Sequence, residues 1–296
     1  MLLSFYVKNI FYIFDIFSRS VREGSATMAY INRENSGKIY YETSGAGDTA
    51  IVLIHGWGAN ARAWDQTVTV LTSAGFQVVT LDHRGCGRSD CDFEDLGISA
   101  IAGDVVALVS ELGLKSVILN GWSIGAAVTV EAALALGDIC KAVVLTAGAT
   151  PAHVTKPDYP HGGSPEDFLD TVGAVKNDRE NVLPNLALGC FAEGADDKSV
   201  AWLLEMFMDA SPRASETLAE LSTLDQRQKL AELSVPALVM VGAQDGVVDP
   251  NVCRSVQDFH TQTTTVEFEN SGHVPFVEEK DKYNTTLLEF AAQVSG

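Results

Sequence analysis

The 296-residue chain is predicted to be an α/β protein with a mostly parallel sheet covered by helices on both faces. From residue 28 onward, short apolar runs alternate with helix-length segments whose apolar residues recur at helical spacing. Continuous apolar runs are typical of strands that are buried on both faces, as in parallel sheets. One stretch, 150–230, contains no strand-like run. The chain is therefore expected to hold one α/β core with a helical insertion.

The individual elements follow from these patterns. Strands are predicted at 39–43, 49–54, 76–81, 116–119, 142–145, 237–241 and 264–268. Helices of the core are predicted at 98–112, 124–136 and 276–294, and helices of the insertion at 168–175, 179–190, 199–208 and 214–224. We therefore expect a core formed by 28–149 and 231–296, and a helical cap, 150–230, inserted before the strand at 237–241.

The first 27 residues differ from the rest. They are rich in aromatic side chains, but Lys8, Asn9 and Asp15 interrupt the apolar run, which is too short and too broken to span a bilayer. A signal peptide would need a basic N-terminal region, which is missing. We expect an extension that is not part of the fold and no integral membrane span. An anchor on the membrane surface is the alternative.

Composition excludes several classes of function. Twenty basic and 39 acidic residues give a net charge of −19, and no Lys/Arg cluster offers a face for nucleic acid. The cysteine count, five, is odd, and no C-x-x-C occurs. We therefore expect buried free thiols, no disulfide framework, no metal site and a cytoplasmic location. The oligomeric state is left open.

The strongest motif is a G-x-S-x-G at 121–125, directly after the predicted strand 116–119 and directly before a helix. A sharp strand-to-helix turn exposes the Ser123 hydroxyl at the sheet edge, and glycines flank it without steric clash. The helix N-terminus then presents free N–H groups to a developing oxyanion. The context predicts Ser123 as a nucleophile, whereas a simple helix N-cap is the alternative.

An acid and a histidine follow in the order Ser, Asp, His. Asp245 lies just beyond the strand 237–241, and His273 lies just beyond the strand 264–268. Asp249 competes with Asp245 in the same loop, but it precedes Pro250 and is expected to start the next helix. The order predicts His273 as the base and Asp245 as the residue that orients it.

The segment 55–58, His-Gly-Trp-Gly, follows another strand. A loop at this place can supply the Trp57 backbone N–H as an oxyanion donor beside that of Ile124. The loop 82–89 follows the next strand, and its glycines allow tight packing beside the nucleophile turn.

With these four motifs, the chain resembles the α/β-hydrolase superfamily over residues 38–294. The resemblance implies an eight-stranded sheet, with Ser123, His273 and Asp245 as catalytic triad and Trp57 and Ile124 as oxyanion donors. The helical cap is most similar to that of the cofactor-free haloperoxidase and aryl-esterase branch. Members that form peracids carry proline where this chain has Gly58, and dehalogenases and epoxide hydrolases carry aspartate in place of Ser123.

Further residues have predicted places. Five aromatic side chains are expected to line the substrate pocket: Trp122, Phe168, Phe191, Trp202 and Phe207. Among the histidines, His55 and His83 are expected to brace loops and His260 to be exposed. His153 and His161 are expected on the surface, with a place near the pocket mouth as the alternative.

The sequence thus predicts a serine hydrolase that cleaves a small, neutral, apolar or aromatic carboxylic ester or lactone through an acyl-enzyme, without a cofactor. Perhydrolase, amide or C–C bond cleavage on the same residues remains open. So do a ligand-binding receptor on a hydrolase scaffold and a lyase or oxygenase that uses the His–Asp pair.

Overall fold

The computed structural model describes residues 26–295. Eight strands of this range form one sheet, in the spatial order β1-β2-β4-β3-β5-β6-β7-β8. The strands are β1 (Thr27–Asn32), β2 (Lys38–Ser44), β3 (Ala50–Ile54), β4 (Gln77–Leu81), β5 (Val117–Trp122), β6 (Cys140–Thr146), β7 (Ala237–Gly242) and β8 (Thr263–Phe268). β2 runs antiparallel to both β1 and β4, and every other neighbouring pair is parallel. The predicted fold class is confirmed.

The sequence patterns missed one strand, β1. Its residues are mostly exposed, and Ile31 alone is buried, so it lacks the continuous apolar run of the central strands. Thr27 pairs with Thr43, and the sheet therefore begins one residue before the predicted boundary at 28. The rest of the predicted extension, 1–25, lies outside the described residues.

Helices follow most of the predicted segments. They are α1 (Asp65–Ser73), α2 (Ile98–Glu111), α3 (Ile124–Leu136), α4 (Pro165–Asn177), α5 (Arg179–Gly189), α6 (Asp197–Asp209), α7 (Ser215–Glu220), α8 (Arg227–Glu232), α9 (Pro250–Arg254), α10 (Val256–Phe259), α11 (Pro275–Glu278) and α12 (Lys280–Ser295). In the core, α2 packs against α3, and α1 packs against α12. Across residues 26–295, no helix combines the length and apolar character that a membrane span needs.

Three helical segments differ from prediction. The sequence of α1 is rich in β-branched Thr and Val, which mask a helical pattern, yet burial of Leu71 holds the helix on the core. The predicted helix 276–294 is broken at Glu279, whose backbone is not helical. The predicted helix 214–224 ends early, because α7 stops at Glu220 and turns follow.

The helices α4 to α8 all lie between β6 and β7, which confirms the all-helical cap before the acid-bearing strand. The end of the cap is tied to α3 through the fully buried Gln226. Its Nε2 donates to the Ala127 carbonyl at 2.9 Å, and its Oε1 accepts from the Thr150 hydroxyl at 2.8 Å. The cap is therefore joined to the core by buried hydrogen bonds as well as by apolar packing.

A buried ion pair joins the loop after β4 to α2. Arg84 and Asp104 are each about 1% exposed, and two hydrogen bonds of 2.8 and 2.6 Å connect them. Arg33 donates to the same carboxylate at 2.7 Å. Buried charges of this kind are tolerated because each has several partners, and removal of one partner leaves the other uncompensated.

We therefore expect Asp104→Asn to lower the free energy of unfolding by about 3–5 kcal/mol. Urea denaturation measures this change. The matched control is Glu269→Gln, which removes an exposed ion pair of similar length, 2.7 Å to Lys282. Solvent screens that pair, so its loss should have a much smaller effect. Equal effects of the two substitutions would contradict a special role for the buried pair.

Candidate active site

Strand register brings the chemistry-bearing loops to one edge of the sheet. Gly121 lies beside Ile54 on one side and Leu145 on the other. Gly242 at the end of β7 lies beside Phe268 at the end of β8. Since these strands are parallel, the segments after β3, β5, β7 and β8 emerge at the same carboxyl edge, where ligands of open α/β sheets bind.

Ser123 occupies the turn between β5 and α3 with φ 58° and ψ −122°, a backbone conformation that side chains other than glycine rarely adopt. The flanking glycines are required by close packing. A Cβ on Gly121 would overlap the Gly125 carbonyl, and a Cβ on Gly125 would lie 2.5 Å from the Ile54 oxygen. The G-x-S-x-G motif therefore builds a strained turn that presents the serine at the sheet edge.

The structure places Asp245, rather than Asp249, against His273. Asp245 Oδ2 lies 2.7 Å from His273 Nδ1, and Oδ1 accepts the backbone N–H groups of Val247 and Val248 at 2.8 and 2.9 Å. Both side chains are almost fully buried. Asp249 instead caps α9, where its Oδ1 accepts the Asn251 N–H at 2.9 Å. With Nδ1 engaged by Asp245, Nε2 is the ring nitrogen of His273 that remains for chemistry.

The loop that carries His273 is held from two sides. The His273 N–H donates to the Cys190 carbonyl at the end of α5, and the His273 carbonyl accepts from Trp122 Nε1, both at 2.7 Å. Glu278 bridges the same region, accepting the N–H groups of Gly272 and Ala192 at 2.7 Å each. The histidine is thus positioned jointly by the core and by the cap.

The two backbone N–H groups predicted as oxyanion donors are available. Ile124 is the first residue of α3, so its N–H has no acceptor within the helix. Trp57 lies in the loop after β3, and among residues 26–295 no acceptor bonds its N–H. The Trp57 indole N–H donates to the Ala214 carbonyl at 2.7 Å, which fixes this loop against the cap.

A cavity of about 280 Å³ contains Ser123 and His273 in its wall. Trp57, Trp122, Phe168 and Phe207 line it as well. Further lining residues come from the cap and from the loop after β7: His153, Thr171, Asn185, Leu186, Gly189, Cys190, Leu218, Leu221, Gly246, Val247 and Val248. None of the lining residues, all within the described part of the chain, is Asp, Glu, Lys or Arg.

Two of the predicted pocket residues lie elsewhere. Trp202 faces a separate surface cleft beside Arg62, because it is five residues before Phe207 on α6 and points about 140° away around the helix. Phe191 is buried, but it borders a different depression near Glu193. Its neighbour Cys190 takes the place in the cavity wall instead. Side-chain direction, which composition does not reveal, explains both errors.

One histidine prediction is also wrong, that for His260, and for His153 the alternative place at the pocket applies. His260 is 3% exposed, and its Nε2 pairs with the Val235 carbonyl at 2.9 Å. His153 is 8% exposed and lies in the cavity wall. Cysteine burial is as expected at four positions, but Cys91 is exposed. Burial raises the pKa of the Cys190 thiol well above its usual value, so this thiol in the cavity wall stays protonated.

His55 and His83 stack beneath the site, with ring centroids 3.7 Å apart. His55 Nε2 accepts the His83 backbone N–H at 2.9 Å, so Nδ1 carries the proton and donates to the Gly56 carbonyl at 2.7 Å. Burial lowers the pKa of His55 to about 4 and that of His83 well below 6.5. This neutral pair braces the loop that carries Trp57. No group of three or more His, Cys, Asp or Glu side chains within 26–295 is placed to hold a metal ion.

The buried imidazoles predict destabilisation in mild acid. Between pH 7.5 and 5.5 the unfolded chain takes up a proton at His55 and at His83, each with an ordinary pKa of 6.5, whereas these two imidazoles stay neutral in the folded chain. The free energy of unfolding should therefore fall by about 1.4 kcal/mol per buried imidazole over this range. Urea denaturation at the two pH values measures the fall.

His83→Phe provides the comparison, because it keeps an aromatic ring against His55 and removes one titrating group. The fall in the free energy of unfolding between the two pH values should be smaller in this variant by the contribution of one imidazole. If the fall in the free energy of unfolding were the same in this variant, His83 would take up a proton in the folded protein between the two pH values, contrary to the expectation.

Several known proteins are similar to this chain. The family model described as alpha/beta hydrolase fold matches residues 49–280. A pimeloyl-[acyl-carrier protein] methyl ester esterase of Pectobacterium atrosepticum is 31% identical over 265 residues, which are 86% of this chain and 98% of that protein. An esterase structure from Exiguobacterium antarcticum superposes with a TM-score of 0.85 at 26% identity, covering 89% of this chain and 99% of that one. A bromoperoxidase structure from Bacillus anthracis gives 0.83 at 27% identity, covering 90% and 100%. The chain therefore belongs to the α/β-hydrolase family and is an esterase-like enzyme of the branch that also contains bromoperoxidases.

Proposed function

We propose that this protein is a serine hydrolase that cleaves small, neutral carboxylic esters or lactones through an acyl-enzyme. One observation carries the proposal. Ser123 on its strained turn and His273, bonded to the buried Asp245 at 2.7 Å, share the wall of one cavity. This arrangement of nucleophile, base and orienting acid supports acyl transfer.

In acylation, His273 acts first as a base and then as an acid. His273 Nε2 takes the proton of the Ser123 hydroxyl as the serine oxygen bonds to the ester carbonyl carbon. The carbonyl oxygen becomes an oxyanion, which the N–H groups of Trp57 and Ile124 stabilise. The C–O bond to the alcohol then breaks, and His273 returns the proton to the departing alcohol oxygen.

Deacylation repeats the sequence with water. His273 removes a proton from water as its oxygen attacks the acyl carbon, and Ser123 leaves with that proton. Asp245 keeps the imidazole in the tautomer with the proton on Nδ1 and stabilises the imidazolium that forms in each step. Its second oxygen, bonded to two backbone N–H groups, fixes the carboxylate for this role.

The cavity supports a small, uncharged substrate. Its volume of about 280 Å³ suits a compact ester, and its wall is mostly apolar. Without an Arg or Lys among the lining residues described, a carboxylate substrate has no ion-pairing partner there. The Pectobacterium relative is named for the hydrolysis of a methyl ester, which supports ester chemistry at this site.

We further propose a cytoplasmic location. All five cysteines are free, and Cys91 is exposed. Exposed free thiols are typical of proteins in reducing compartments.

The first test is Ser123→Ala with p-nitrophenyl acetate and butyrate as substrates. Loss of the nucleophile should lower kcat by about 10⁴-fold or more while the protein remains folded. Release of p-nitrophenol, with a pre-steady-state burst in the unaltered protein, measures both the activity and the acyl-enzyme. If Ser123→Ala retained full activity, Ser123 would not be the nucleophile. If the unaltered protein cleaved no ester, the proposed function would be wrong.

The second test compares the two aspartates of one loop. Asp245→Asn should lower kcat by about 10³- to 10⁴-fold, because His273 loses its orienting carboxylate. Asp249→Asn is the matched control, since Asp249 caps α9 and should leave kcat nearly unchanged. The same p-nitrophenyl assay measures both variants. Equal losses, or a larger loss for Asp249→Asn, would contradict the assignment of the acid.

A further inference from the structure

His153 is a polar side chain in the cavity wall that the proposed reaction steps do not use. It lies between β6 and α4 and is 8% exposed. Its ring packs edge-to-face on Phe168, with centroids 4.6 Å apart. The segment is held across the loop, since the Thr155 N–H donates to the Gly163 carbonyl at 2.9 Å. The imidazole is therefore fixed in place rather than free to turn into solvent.

Neither ring nitrogen of His153 has a hydrogen-bond partner among residues 26–295, and Nδ1 is fully buried. Buried polar groups are nearly always paired, and an unpaired one calls for an explanation. The other ring nitrogen, Nε2, is not fully buried, so a substrate group in the adjoining cavity would bond to it.

The imidazole is neutral near pH 7. Burial and the neighbouring His273 lower the pKa of His153 to about 4. A neutral imidazole offers one N–H donor and one nitrogen acceptor. That pair of functions suits a hydroxyl or a carbonyl group. A carboxylate would find no cation among the described residues that line the cavity.

Further polar groups in the wall lie closer to the opening. Thr171 on α4 and Asn185 on α5 line the cavity but are exposed, so both contact water without a substrate. His153 differs because it is buried and unpaired. Among the lining residues that take no part in the proposed reaction, His153 therefore depends most on the contents of the cavity for its hydrogen bonds.

We propose that His153 is a specificity-determining residue that binds a neutral hydroxyl or carbonyl substituent of the ester substrate, away from the scissile bond. The substrate class is therefore oxygen-substituted esters or lactones rather than purely hydrocarbon ones. This inference rests on the proposed ester hydrolysis at Ser123, and it assigns His153 no proton transfer.

The experiment compares pairs of esters that differ by a hydroxyl in place of a methyl group. One pair varies the acyl part: p-nitrophenyl 3-hydroxybutyrate and p-nitrophenyl 3-methylbutyrate. The other varies the alcohol part: 3-hydroxybutyl butyrate and 3-methylbutyl butyrate. For each pair, kcat/KM is measured with the unaltered protein and with His153→Phe, which keeps a ring against Phe168 but has no hydrogen-bonding group. The intrinsic reactivity of each ester cancels when the two proteins are compared.

In at least one pair, His153→Phe should reduce the preference for the hydroxylated ester by about tenfold, the effect of one hydrogen bond to a buried partner. His153→Gln, which retains a donor and an acceptor, should restore part of it. Activity on the methyl-bearing esters should persist in both variants. Circular dichroism establishes that each variant is folded.

Other outcomes separate the two proposals. If His153→Phe changes kcat/KM equally for both members of every pair, His153 has a packing role and the inference is wrong. If the unaltered protein cleaves none of the four esters and no p-nitrophenyl acetate, the proposed function fails instead. If His153→Phe abolishes cleavage of the methyl-bearing esters while it stays folded, His153 acts in the reaction itself, and its assignment as a specificity residue is overturned.

Discussion

The strained turn at Ser123 is the constraint on which the rest of the site depends. A serine with φ 58° and ψ −122° costs on the order of 1–3 kcal/mol, and the surroundings must hold it there. The end of β6 does so, because the Ser123 N–H donates to the Thr146 carbonyl and its carbonyl accepts the Ala149 N–H, both at 3.0 Å. Gly121 and Gly125 leave room for the turn. Without this turn, Ser123 would not reach the cavity wall at the position directly before the first N–H of α3.

The cap contributes to the position of the core groups as well as covering them. Backbone carbonyls of the cap accept hydrogen bonds from the His273 N–H at Cys190 and from the Trp57 indole at Ala214. Glu278 accepts N–H groups from both sides of the junction, and burial raises the pKa of its carboxyl. A shift of the cap would therefore displace the proposed base and the proposed oxyanion loop together. Cavity shape and catalytic geometry are linked in this fold.

The same physical reason keeps three of the buried imidazoles neutral, those of His55, His83 and His153, but they serve different ends. Desolvation penalises their charged forms and lowers their pKa values. His55 and His83 form a stacked pair that braces a loop, as expected from their position at strand ends. His153 has no protein partner and faces the cavity. Low pKa alone thus does not separate bracing from recognition, and His83 Nε2 also lacks a partner. The place of His153 in the wall of the cavity that holds Ser123 separates the two roles.

Sequence by itself determined the α/β architecture, the place of the cap and the order of Ser123, Asp245 and His273. These features depend on local patterns. Apolar runs indicate buried strands, and the turn at Ser123 needs its two glycines within the five residues of the G-x-S-x-G motif. Tertiary structure alone decided which cap side chains face the cavity. The rotation of α6 turns Trp202 away from the cavity. The loop after β6 buries His153 in the cavity wall, whereas the sequence left both a surface position and a place near the pocket mouth open. Such outcomes depend on how segments that are distant in the sequence pack against one another, and local sequence patterns do not determine that packing.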